Sequence, residues 1–255
     1  MTEEAYRDGA AWRRGPHLVY RRLAAVAAEA LDRPLAGLTT VDAGAGTGAM
    51  GEELAARGAR VVYTDRSYGM VREAPAPRIV CDVRALAIRG ASFDLTTASF
   101  VLSHVDDPRS ALAELARVTR PGGMVVATAF PAGEPHPVKE AVNAVLEGFG
   151  YEPPAWYEHL KRTGESRVGS AEALTALGGE AGLQAVRLRE LAAPLAGLDP
   201  RAVVAWRLGM AQVAPFRARL RPRQLAQLDA EALAAVKGAG LSTPVRMLLL
   251  AGDVR

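Results

Sequence analysis

Asp42-Ala43-Gly44-Ala45-Gly46-Thr47-Gly48 is the segment of this 255-residue chain with the clearest chemical purpose. Alternate glycines strip side chains from one stretch of backbone. A ligand can then lie against bare N–H groups and the N-terminus of the helix that follows. Asp42, ahead of the first glycine, is placed to meet an ammonium group. Two more acids close later apolar segments: Asp65 after Arg-Val-Val-Tyr-Thr, and Asp82 after Arg-Ile-Val-Cys. One carboxylate suits the two hydroxyls of a ribose and the other an adenine amino group. The pattern asks for a nucleotide-like cofactor. Gly44 to Ala49 also satisfies G-x-G-x-x-[GA], with Asp65 on the ribose of a dinucleotide, so a nicotinamide cofactor stays open at this point.

Acceptor chemistry is less marked. His104 follows the fourth apolar segment and is the candidate base. Phe149, Tyr151, Trp156 and Tyr157 crowd into residues 149–159 of a chain with only three Trp, six Tyr and five Phe. Aromatic faces suit a planar or apolar acceptor. His136 and His159 are candidate polar contacts. Ahead of the glycine turn, Tyr6, Trp12, Tyr20 and Arg21 are candidates to close the pocket or to meet a carboxylate. Arg217, Arg219, Arg221 and Arg223 in PFRARLRPRQ read as a solvated turn. Cys81 is the only cysteine, so no disulfide, no cysteine-rich zinc site and no metal is expected.

The elements that must position these residues follow from the hydrophobic pattern. Residues 17–31 have helical spacing. Strands are expected at 38–43, 60–64, 78–81, 93–98 and 124–130. Helices are expected from the glycine turn to Arg57, over 67–74, and from Asp107-Pro108 to the residues before Pro121, the last with an N-cap and proline at its first position. Short, continuously apolar strands alternating with helices argue for a parallel sheet covered on both faces. Prolines 131, 135, 137, 153 and 154 interrupt that rhythm, with a helix expected over 138–149. Helices at 170–181, 201–213 and 222–236, and strands at 183–191 and 244–251, complete the chain.

The segments VDAGAGTG, VVYTDRSYGM, CDVRALAI, FDLTTASFVLSHVDDP and ALAELARVTRPGGMVVATAF, in this order, resemble the class I S-adenosylmethionine-dependent methyltransferases, in their small-molecule branch. The resemblance implies an α/β, Rossmann-like seven-stranded mixed sheet of order 3-2-1-4-5-7-6 with the last strand antiparallel. It implies S-adenosyl-L-methionine as cofactor, with S-adenosyl-L-homocysteine as product. Asp42, Gly44, Ala45, Gly46 and Gly48 would hold its methionine portion, with Tyr20 closing over it. Asp65 would hold the ribose, Arg66 and Met70 the adenosine, Asp82 and Val83 the adenine, and Ala98 and Ser99 the region under the sulfonium. Phe100, His104, Phe130, Trp156 and Tyr157 are the candidate acceptor contacts. The two-proline signature of DNA amino-methyltransferases is absent at Ser99-Phe100-Val101-Leu102.

The expected organisation is one domain. Residues 1–37 form an N-terminal helical cover, 38–130 the cofactor core, 131–169 a substrate-lid insertion, and 170–255 the rest of the sheet. The net charge is +3, but only Lys139, Lys161 and Lys237 among 31 basic residues are lysines. The excess is spread along the chain, as coding bias produces, and gives no basic face for nucleic acid. No run is long and apolar enough to span a membrane, and no secretory signal is visible at the N-terminus. These features predict a cytoplasmic enzyme, monomer or homodimer, acting on a small molecule, with no nucleic-acid or membrane partner. Alternatives left open are a cyclase or regulator that binds the cofactor without methylating, a peptide acceptor, and a nicotinamide-dependent oxidoreductase.

Overall fold

A computed structural model describes residues 6–255; Met1 to Ala5 of the expected cover lie outside the described residues. Seven strands form one sheet of order β3-β2-β1-β4-β5-β7-β6. They are β1 Thr39–Ala43, β2 Arg60–Asp65, β3 Arg78–Val80, β4 Phe93–Ser99, β5 Thr119–Ala129, β6 Gln184–Ala193 and β7 Val245–Asp253. The strands from β1 to β5 pair in parallel, and β7 runs antiparallel to both β5 and β6. The order and the reversed last strand are those the sequence implied. β7 reads Val-Arg-Met-Leu-Leu-Leu-Ala-Gly-Asp and is buried along most of its length, as a strand flanked on both sides must be.

Helices cover both faces. In chain order they are α1 Gly9–Arg14, α2 Pro16–Glu29, α3 Ala49–Ala56, α4 Tyr68–Val71, α5 Pro108–Val118, α6 Pro137–Gly148, α7 Ala155–His159, α8 Glu165–Val168, α9 Ala171–Glu180, α10 Pro200–Leu208, α11 Ala214–Arg217 and α12 Pro222–Ala239. The apolar sides of α2, α3, α6, α10 and α12 join one core cluster, and those of α5 and α9 join the other. α5 begins as expected: the Asp107 carboxylate accepts from the Ser110 N–H, and Pro108 follows it.

Some boundaries moved. β5 starts at Thr119, because Arg120-Pro121-Gly122-Gly123 bulges between the pairs Phe93–Thr119 and Leu95–Met124 without ending the pairing with β4. The helix expected at 201–213 stops at Leu208. At Gly209 the chain packs so closely on Pro16 that a Cβ would stand 2.7 Å from its Cδ. The 131–169 insertion is not all cover: Val138, Val142 and Leu146 of α6 are fully buried in the main core. In this sheet the order reverses between β1 and β4, which opens a crevice at the carboxyl ends of the strands. Asp42, Asp65 and Ser99 stand there.

Candidate active site

The cofactor end is built by backbone geometry. Gly44 and Gly46 adopt φ of 67° and 56°, in the left-handed region. A Cβ on Gly44 would stand 2.5 Å from Val101 Cγ2, so space as well as conformation demands glycine. The Ala45 N–H donates to the Thr64 carbonyl at 2.8 Å and ties the turn to β2. Asp65 ends that strand, where its carboxylate accepts from the Gly46 N–H and the Ser67 N–H, both at 2.8 Å. Burial nevertheless raises its carboxyl above the usual range.

Asp42 lies opposite Thr97 in the β1–β4 register. It accepts from the Thr97 hydroxyl at 2.8 Å and from the Gly51 N–H at 2.9 Å. Complete burial pushes its carboxyl up to about 6 in spite of these bonds. Asp82 differs, because the Arg84 guanidinium grips it at 2.8 and 3.0 Å and holds its carboxyl below the usual range. The acid expected to receive an adenine amine is thus already engaged by a cation.

The N-terminal segment folds onto this end. Arg13 donates to the Thr47 carbonyl at 2.9 Å and pairs with Glu52 at 2.7 Å. The Ser67 hydroxyl donates to the Tyr6 carbonyl at 2.7 Å. Gly9 and Gly69 let α1 touch α4, since a Cβ on either would lie 2.1 Å from a backbone oxygen. A line of rings then runs across the crevice. Tyr6 meets Trp12 and Trp12 meets Tyr20, both at 5.6 Å; Tyr20 meets Phe100 edge-on at 5.5 Å; Phe100 stacks on Phe130 at 4.3 Å. Phe100 holds φ 57°, a strained conformation for a non-glycine residue, directly after β4.

One cavity of about 420 Å³ joins the cofactor end to a second pole. Asp42, Gly44, Ala45, Gly46, Asp65, Arg66, Met70, Asp82, Val83, Ser99, Tyr20, Phe100, His104, Phe130 and Tyr157 all line it, as do Tyr6, Trp12 and His136. Burial pushes the His104 imidazolium down to about 4, so the ring is neutral near pH 7 and a weak base.

Other expected residues lie elsewhere. Gly48 is the N-cap of α3, outside the lining. Ala98 faces the opposite core cluster, because alternate side chains of β4 point to opposite faces. Trp156 packs on Tyr157 at 5.8 Å but does not line the cavity. Tyr151 meets Phe216 edge-on instead. Arg21 turns outward to Glu53 at 2.6 Å, and His159 is exposed. In PFRARLRPRQ, Arg217 pairs with Asp229 and Arg219, Arg221 and Arg223 are exposed, as a solvated turn requires.

Sequence reasoning missed the far pole, formed by Lys139 and Asn143 of α6 and Trp206 and Arg207 of α10. One signal was available: Lys139 is one of three lysines in an arginine-rich chain. Among the described residues no cluster of His, Cys, Asp or Glu is arranged to hold a metal, and no helix is long and apolar enough to cross a membrane.

Residues 41–127 match the methyltransferase domain family model. Over those residues the chain carries a methyltransferase domain. Outside that domain the likeness thins. A demethylmenaquinone methyltransferase from Renibacterium salmoninarum is 41% identical over 99 residues, 37% of this chain and 42% of that relative. The chain therefore spans under half the length of the curated relatives it matches. A solved structure from Anabaena variabilis, described as a methyltransferase of an antibiotic biosynthesis pathway, superimposes with a TM-score of 0.60 at 16% identity, covering 95% of this chain and 99% of that one. The phosphoethanolamine N-methyltransferase 2 of Haemonchus contortus, solved with S-adenosyl-L-methionine, gives 0.55 at 17% identity, covering 92% and 52%. At such identities the two structures speak for the fold of the methyltransferase domain.

Proposed function

We propose that the chain transfers a methyl group from S-adenosyl-L-methionine to an oxygen, nitrogen or carbon of a small-molecule acceptor. The observation that carries this reading is the row of acids at the carboxyl ends of β1, β2 and β3. Asp42, Asp65 and Asp82 line one end of a cavity whose floor is the glycine turn. That donor set suits a cofactor with an ammonium, a sulfonium and a ribose diol. It suits the pyrophosphate of a dinucleotide less well, which supports S-adenosyl-L-methionine over a nicotinamide cofactor.

The cofactor, when bound, supplies a methyl group already activated on sulfur. The chain's own residues then have three tasks. The turn and Asp65 hold the adenosine and methionine parts. Ser99 and Phe100, at the end of β4, flank the place where the methyl must lie. Tyr6, Trp12, Tyr20, Phe100 and Phe130 exclude water and align the acceptor. His104 contributes a ring to this shell that burial keeps neutral near pH 7.

Calorimetry with S-adenosyl-L-methionine, S-adenosyl-L-homocysteine, NAD and NADP tests the cofactor. Micromolar binding of the first two alone is expected, and nicotinamide binding without them overturns the reading. Release of S-adenosyl-L-homocysteine with a panel of O, N and C nucleophiles tests the reaction. Binding without turnover across that panel favours a regulator or cyclase.

A further inference from the structure

The pole of the cavity away from Asp42, Asp65 and Asp82 carries two cations, Lys139 and Arg207, that form no ion pair among the described residues. Lys139 and Asn143 are four residues apart on α6 and share one face. Arg207 comes from α10, which packs against α6. Arg207 is only 6% exposed, and among the described residues its side chain makes one hydrogen bond, from Nη2 to Asn143 Oδ1 at 3.2 Å. Arg207 Nε has no partner, and no carboxylate lies within ion-pair distance of Arg207 or Lys139 among the described residues. The acids nearby are otherwise occupied or exposed. Glu134, Glu140 and Glu165 also line the cavity, but Glu134 pairs with Arg246 at 3.1 Å, Glu165 pairs with Lys161 at 2.6 Å, and Glu140 is exposed.

A buried guanidinium without a counter-ion is costly, and a second cation beside it adds repulsion. Lys139 Nζ also sits 5.0 Å from the centre of the Phe130 ring. That ring stacks with Phe100, so the basic pole and the aromatic pair form one continuous surface. A guanidinium fork fits the two oxygens of a carboxylate, and a stacked ring pair fits a flat apolar body.

We infer that the acceptor is a planar aromatic acid whose carboxylate is bound between Lys139 and Arg207 while its ring lies against Phe100 and Phe130. The cavity then has a charge at each end: acids for the cationic cofactor, bases for the anionic acceptor. This assignment rests on the methyltransferase reading, but the carboxylate site can be examined separately from it.

The probe pair is 2-naphthoate and its uncharged isostere 2-naphthamide, titrated into the full chain with and without saturating S-adenosyl-L-homocysteine. Naphthoate is expected to bind at least tenfold more tightly than the amide. Lys139→Met and Arg207→Met should each abolish that preference, with Arg207→Lys restoring part of it. Binding at pH 8 should take up protons, read as a buffer-dependent enthalpy, because Lys139 is held at about 8 by burial and by Arg207 and Lys161 against the pull of Glu165 and Glu134. Circular dichroism and retained S-adenosyl-L-homocysteine affinity identify variants that have simply unfolded. Equal affinity for acid and amide, no binding of either, or an acid preference that survives in folded Lys139→Met overturns the inference. Loss of S-adenosyl-L-homocysteine binding in the native chain, with the acid preference intact, overturns the cofactor reading alone.

Discussion

The two ends of the cavity are built by different means. At the cofactor end, position is set by backbone: glycines with positive φ, N–H groups that fix Asp65, and a strand register that pairs Asp42 with Thr97. At the acceptor end, position is set by side chains on helices that meet only in the folded state, with Lys139 and Asn143 on α6 facing Arg207 on α10. Backbone devices leave local marks in a sequence and tolerate little change. Side-chain devices leave few marks and can be exchanged one at a time.

The largest expected effect strikes the backbone end. Gly44→Val forces a side chain into Val101 at a φ of 67°, and should cost about 2–4 kcal/mol in urea unfolding, the sum of left-handed strain and overpacking. A smaller loss would mean that the turn is less fixed than its geometry implies. Next in size, Asp65→Ala should weaken S-adenosyl-L-homocysteine by about 1–3 kcal/mol while leaving the naphthoate preference alone. Arg207→Met should do the reverse. If each substitution hurts both ligands equally, the two ends are not separate.

Acidity should separate them as well. Asp42 is raised to about 6, so cofactor affinity should fall as pH drops below 6 and the carboxylate facing the ammonium becomes neutral, by up to about tenfold per unit. The same group makes the free protein gain stability as pH falls from 6 towards 4, because the folded form then holds a proton that the unfolded chain does not. Lys139 has the opposite sense. Its charge is lost as pH rises through about 8, so carboxylate affinity should fall there, while stability of the free protein rises between about 8 and 10. Paired titrations from pH 5 to 9 would expose a single shared group if one existed. The smallest effect should come from Phe130→Leu, which removes the stack with Phe100 and should weaken aromatic ligands by about 0.5–1.5 kcal/mol, with the cofactor little affected.

What the sequence revealed follows the same division. The glycine turn, the short apolar strands and the acids that close them were legible because they are local signals, whereas the seven-strand order came only with the resemblance to the methyltransferases. Gly48 and Ala98 fell outside the lining because family position alone does not say which way a residue faces. The aromatic cluster at 149–157 gave only Tyr157 to the cavity. Clustering in sequence on short helices scatters side chains around an axis, and Tyr151 went to Phe216. Arg207 was invisible for the opposite reason: in a chain full of arginines, nothing local separates a buried one from its solvated neighbours.

The stacked pair Phe100 and Phe130 has a bearing on how such a chain changes over generations. One ring follows β4 and belongs to the part shared with relatives; the other follows β5, three residues after the matched region ends at 127. The stack joins, across the cavity, the part shared with relatives to the part beyond it. A lineage can therefore redraw the cavity-facing side chains beyond that seam to meet a new acceptor while the core positions of α6 and α10 hold the cofactor chassis unchanged, and an engineer can do the same.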